Sequence, residues 1–129
     1  MKKLLFCFAI LFLGAVTAHA QLPVNTKAPL QDLSGISTGI VSKLTSALSL
    51  TDVQKTKVST QINNYITQKA TVSTTQDTNP TAYTKKIASM QHGLFAKLKT
   101  ILTATQYAQF LGLKPPSNDV TNVLSQLFY

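Results

Sequence analysis

Acid–base catalysis needs side chains of tuned pKa held close together, and metal capture needs several His, Cys or carboxylate groups converging on one point. Beyond residue 20 this chain has little of either kind. It carries one histidine, His92, one methionine, Met90, and four aspartates, Asp32, Asp52, Asp77 and Asp119, with no cysteine, glutamate, arginine or tryptophan. The aspartates are scattered, and no two stand at a helical spacing that would pair them, so a carboxylate-driven hydrolase site has no support. Asp52 and Asp119 fall near expected helix starts, where the positive end of the dipole accounts for them. His92 shares a seven-residue spacing with Lys85 and Lys99, which places it on a solvated face. Met90 lies in an apolar seam and reads as core. No glycine-rich phosphate loop is present. The sequence therefore predicts a non-enzymatic chain with no catalytic residue, metal site or cofactor.

The chain begins with Lys2 and Lys3, an apolar run from Leu4 to Val16, and Ala18-His19-Ala20. That order reads as a secretory signal peptide cleaved after Ala20. The run is short for a bilayer span, and no second apolar stretch of spanning length follows. The mature chain is thus expected to be exported, without a transmembrane segment. The lone Cys7 lies inside the signal, so neither a disulfide nor a lipid anchor is implied. Residues 21–32, which include Pro23 and Pro29, read as a flexible leader. Residues 33–129 read as a single helical domain.

Charge narrows the partners. Twelve lysines face four aspartates, for a net +8, and removing Lys2 and Lys3 leaves ten against four, or +6. A positive surface favours acidic protein, anionic lipid or nucleic acid. Export, the absence of arginine and the lack of aromatics interleaved with the lysines argue against nucleic acid.

The elements come from apolar periodicity. Leu33, Ile36, Ile40, Leu44, Ala47 and Leu48 recur at three and four, predicting a helix over 33–48 with a weak start at Gly35 and Gly39. Val58, Ile62, Tyr65, Ile66 and Val72 predict a second helix from Thr51 to about Thr74. Ser73 to Pro80 is a polar breaker ending in an Asn79 cap with Pro80 at the first helical position. Tyr83, Ile87, Met90, Leu94, Leu98 and Ile101 form the seam of a third helix, and Gly93 within it marks either a weak point or a close helix approach. A short fourth helix follows Thr103, with Tyr107, Phe110, Leu111 and Leu113 on its apolar side, until Pro115-Pro116 stops it. A last helix starts at Ser117 or Asn118, with Val120, Val123, Leu124, Leu127 and Phe128 on one face. No period-two pattern competes, so the class is all-α: a small bundle or cradle of four to five amphipathic helices.

Two of these helices open on the same L-T-x-x-Q pattern, Leu50-Thr51-Asp52-Val53-Gln54 and Leu102-Thr103-Ala104-Thr105-Gln106. Thr followed three residues later by Gln is the spacing of a capping box, in which the hydroxyl accepts from the N3 amide and the Gln side chain reaches back to the cap amide. In the second copy Leu102 and Tyr107 can also form a hydrophobic staple, whereas the first offers Leu50 and only the stem of Lys55. Leu50, Thr51, Gln54, Leu102, Thr103 and Gln106 read as structural caps.

The paired L-T-x-x-Q motif resembles that of the Spy and CpxP group of small exported bacterial helical proteins. LTDVQKTKV from Leu50 and LKTILTATQYAQF from Leu98 carry the likeness, which covers about half of the mature chain. The resemblance implies a periplasmic, cradle-shaped, often dimeric all-helical protein, from a group in which some members act as ATP-independent chaperones or envelope-stress adaptors. The chain departs from that group in lacking arginine and glutamate, in lacking His-rich extensions, and in ending on an additional apolar stretch. Lys69 falls within the apolar arc of the second helix and Lys55 at its edge. They read either as lysines snorkelling at the rim of a core or, with Tyr65 and Phe95, as an apolar floor rimmed by mobile charge. The second reading expects a surface for unfolded or amphipathic polypeptide. Its alternative is an adaptor domain with one defined envelope partner, and peripheral attachment to anionic membrane is a third class.

Overall fold

The computed structural model describes residues 32–129, which form α1 (Leu33–Leu48), α2 (Asp52–Ser73), α3 (Pro80–Ile101), α4 (Ala104–Gly112) and α5 (Ser125–Phe128). No strand occurs among the described residues, and the all-α class holds. The expected signal, its cleavage point and all of the leader but Asp32 lie outside the described residues. No described helix is long and apolar enough to cross a membrane.

α1 forms in spite of its two glycines because one face is buried throughout, with Ser37, Ile40, Val41, Leu44 and Leu48 turned inward. Ala47, expected on that face, is exposed. The helix ends at Ser49 in the left-handed region (φ 51°, ψ 52°). There the amides of Ser49 and Leu50 both donate to the carbonyl of Thr45, which satisfies a helix end that would otherwise be orphaned.

α2 is rich in threonine, a poor helix former. Thr56, Thr60 and Thr71 turn their hydroxyls onto the carbonyl four residues back, at 3.0 to 3.1 Å. Stability comes from the other face, where Val58, Ile62, Tyr65 and Ile66 are buried. The loop after α2 is short, so α3 returns antiparallel and packs along it. α3 starts where expected: Asn79 Oδ1 accepts from the Ala82 amide at 3.1 Å, with Pro80 in the first turn. Its seam buries Ile87, Leu94 and Leu98, with Met90 and Ile101 partly buried against the core. A Cβ built on Gly93 meets nothing within 4 Å, so this glycine is a weak point and no close helix approach requires it. Gly93→Ala is expected to stabilise the fold by about 0.5–1 kcal/mol, read as a higher urea midpoint. An unchanged midpoint would show that α3 does not suffer from the glycine.

α1 lies against α2, and α4 folds back onto α1 and touches α3. One core therefore unites α1 to α4 with Leu124 and Leu127 from the chain end. An aromatic cluster fastens the far side. Phe110, fully buried, meets Phe95 edge-on at 5.2 Å and stacks on Phe128 at 5.3 Å, with Tyr107 tilted beside it at 6.0 Å.

The last segment differs from the expected helix over 117–128. Only Ser125–Phe128 is helical. Asp119 Oδ1 accepts from the amide and hydroxyl of Thr121, at 2.9 and 2.7 Å, and Asn122 Oδ1 accepts from the Leu124 amide at 3.1 Å. These short side-chain bonds offer the backbone turns in place of a helix. The apolar stripe breaks with them, leaving Val120 exposed while Leu124 and Leu127 are buried.

Candidate functional site

Both capping boxes form. Thr51 Oγ1 accepts from the Gln54 amide at 3.2 Å while Gln54 Oε1 accepts from the Thr51 amide at 3.1 Å. Thr103 and Gln106 repeat the exchange at 3.2 and 3.0 Å. Of the would-be staple residues, Leu102 is buried while Leu50 and Tyr107 are partly buried against the core. Thr103→Ala is expected to cost about 1 kcal/mol, and an unchanged melting midpoint would show that the hydroxyl is not acting as a cap.

The two motifs also meet, which sequence reasoning missed. Gln54 Nε2 donates to Gln106 Oε1 at 2.7 Å and Gln106 Nε2 donates to Gln54 Oε1 at 3.2 Å. Their remaining donors go to helix ends: Gln54 Nε2 to the carbonyl of Ile101 at 3.3 Å, and Gln106 Nε2 to that of Leu48 at 3.1 Å. Leu48 and Ile101 are the last residues of α1 and α3. Each amide thus uses both N–H donors and both lone pairs, capping its own helix while closing the helix that precedes the other motif. Nothing is left over for a ligand.

Lys55, Lys69, Tyr65 and Phe95 do not come together as one open surface. Lys55 is exposed near the start of α2, about 21 Å along the helix from Lys69 at 1.5 Å per residue. Tyr65 is only 4% exposed, and Phe95 is engaged with Phe110 and Phe128. Tyr65 and Phe95 are instead closed over within the chain's own core. Both residues stand in apolar arcs that join the common core, so burial wins over display.

The cover is held by an unusual set of contacts. Lys69 Nζ donates to the main-chain oxygens of Gln126 at 2.8 Å and of Tyr129 at 2.5 Å. Gln91 Nε2 donates to that of Leu127 at 3.1 Å. Lys43 Nζ reaches Asn122 Oδ1 at 3.3 Å, and Tyr129 donates its hydroxyl to the Pro115 carbonyl at 2.7 Å, its ring lying under Lys114. Two hydroxyls are buried there without a hydrogen-bond partner, those of Tyr65 and Ser125. Burial pushes the Tyr65 phenol up to about 12; the nearby Gln91 amide opposes the rise and Tyr83 adds to it. One N–H of that amide goes to Leu127, and no bond of normal geometry reaches the phenol.

Burial pushes the Lys69 ammonium down from 10.5 to about 8. Between those values the unfolded chain holds a proton that the folded chain has released, so stability rises with pH across the window. The stability of the unmodified chain relative to Lys69→Met is therefore expected to increase between pH 8 and 10 in urea titrations. A difference that stays flat over that range would show the ammonium to be well solvated.

On the α2–α3 hairpin lies a groove of about 520 Å³, whose lining includes Val53, Gln54, Lys57, Thr60, Lys97 and Ile101. No acidic side chain lines it. Val53 is 66% exposed at its end. His92 is exposed on α3, and among the described residues no three His, Cys, Asp or Glu side chains gather to hold a metal.

The chain matches no protein-family model, no curated protein and no solved structure. The class that can be stated is that of a small all-α bundle.

Proposed function

We propose that this chain is an exported, non-enzymatic helical protein of the Spy and CpxP kind, which binds unfolded or amphipathic polypeptide in the bacterial periplasm without ATP. One observation carries the reading. The helical framework holds a short amphipathic stretch, the chain's own residues 124–129, by its main-chain oxygens through Lys69 and Gln91 and by Leu124 and Leu127 in the core. The oxygens of Gln126 and Leu127 are peptide carbonyls, which every polypeptide has, so a site that grips them is tolerant of sequence. The positive net charge and the paired motif support the same reading. The mature chain at equimolar ratio is expected to slow the aggregation of several unrelated unfolding proteins, and failure with all of them would remove the proposal. The dimer implied by the resemblance belongs to this proposal, and sedimentation of the mature chain tests it.

A second reading, an envelope adaptor with one defined partner, is favoured by the groove between Lys57 and Lys97. A groove with two lysines and no lining acid suits an acidic partner. It predicts one saturable partner in pull-down and little effect on aggregation.

A further inference from the structure

The two buried hydroxyls without a partner, on Tyr65 and Ser125, bear on one boundary. Ser125 opens α5. Tyr65 neighbours Gln91, which holds the Leu127 oxygen. A buried polar group left unbonded is costly, and natural cores hold few. Lys69 adds to the cost, because its ammonium is partly withdrawn from water by the same segment and is depressed accordingly. The rest of the framework closes its polar accounts well, as the four full bonds of each motif amide show. Undocking the segment would give water to the ammonium and to the Ser125 hydroxyl, and would free the Gln91 amide beside Tyr65.

The connection favours such movement. Residues 113–124 contain no helix, and residues 116–121 are exposed throughout. α5 is a single turn of four residues, too short to persist away from its support. What the segment contributes is a compact pattern: Leu124 and Leu127 fully buried, Phe128 stacked on Phe110, and main-chain oxygens facing Lys69 and Gln91.

We propose that residues 122–129 are a displaceable occupant of the framework, and that the site they vacate takes an amphipathic peptide from another protein with the same Leu-x-x-Leu-Phe spacing. The occupant is foreign and the register is set by the native segment: two aliphatic side chains three apart, an aromatic next to the second, and free main-chain oxygens for the lysine and the amide. This rests on the polypeptide-binding reading and names the kind of sequence that reading should select.

A tether tests it. A Cβ on Gly39 would lie 3.5 Å from Val123 Cγ2, an atom bonded to the Val123 Cβ as a cysteine sulfur would be, so the two positions are neighbours that a disulfide can be designed to join, and the chain from Gln21 onward has no other cysteine. Gly39→Cys with Val123→Cys should therefore pin the segment when oxidised and release it when reduced. The probe is a fluorescent peptide with the sequence of residues 117–129, beside a scrambled control, read by anisotropy. The reduced form is expected to bind the probe at least tenfold more tightly than the oxidised form, and Leu127→Ala severalfold more tightly than the unmodified chain. Equal binding by both redox forms overturns the proposal, as does a concentration-dependent dimer that exchanges segments between copies and excludes the probe. Hydrogen exchange gives a second measurement on the unmodified chain. The amides of Leu127 and Tyr129 are expected to exchange at least a hundredfold faster than those of Ile62 and Leu98, and equal protection overturns displacement. The same two redox forms in the aggregation assay separate the hypotheses. A pinned chain that still protects clients leaves the chaperone reading standing on another surface, and a tether-sensitive peptide site without protection does the reverse.

Discussion

Replacing both Gln54 and Gln106 by glutamate is expected to destabilise the fold at pH 7 by about 3–5 kcal/mol, because the change removes every side-chain amide donor from the junction of the motifs. In the native chain the amides exchange bonds at 2.7 and 3.2 Å and also serve the carbonyls of Ile101 and Leu48. Carboxylates in their place would set two negative groups against each other and against both carbonyls. One carboxyl would keep its proton well above the ordinary glutamate pKa of about 4.3. A carboxyl whose folded pKa is raised favours the folded state while protonated, so the damage is smallest below about pH 4 and grows as pH rises. Urea titrations at pH 4 and pH 7, with the unmodified chain beside them, measure it. An equal loss at both values would show that the amides do not face one another in solution. Gln54→Ala and Gln106→Ala should also be non-additive when combined, since each single change strands the other's groups.

The second large effect is expected at Phe110. Its side chain is fully buried, edge-on to Phe95, stacked on Phe128 and tilted against Tyr107, so Phe110→Ala removes a ring that bridges α3, α4 and α5. Truncation of a buried phenylalanine costs about 3–5 kcal/mol, against a total of roughly 5–15 kcal/mol for a domain. The variant should show a urea midpoint lowered by a large share of its native value. Loss of α4 and the chain end ahead of the rest is expected, visible as earlier exposure of Tyr107 and Tyr129. A midpoint close to that of the unmodified chain would mean that the aromatic cluster is not assembled.

The framework was legible where local chemistry and burial agree. Thr51, Asn79 and Thr103 carry side chains that cap, and each cap falls where its residue spacing places it. The chain end was misread because periodicity and local hydrogen bonding disagree there: Val120, Val123, Leu124 and Leu127 keep a helical spacing, yet Asp119 and Asn122 bend the backbone into turns. Around Lys69, Tyr65 and Phe95 the sequence leaves the rim of a core and a display surface both open, and the burial of Tyr65 and Phe95 follows from the core they join. The Gln54–Gln106 pair is separated by 52 residues. No local rule reaches that far, and the only trace of it in the sequence is that one spacing occurs twice.

That reciprocal pair has a consequence for how the chain could be divided. Residues 33–74 and residues 79–113 are each a helix, a motif and a second helix, and each carries a complete cap of its own. What each lacks is supplied by the other: the donor for the final carbonyl of its first helix, and a partner for its amide. Made as two separate polypeptides, the halves would carry complementary ends for reassembly. Fragment complementation, scored by recovery of helicity on mixing and lost when either glutamine becomes alanine, would reveal the motif as a recognition element between the halves.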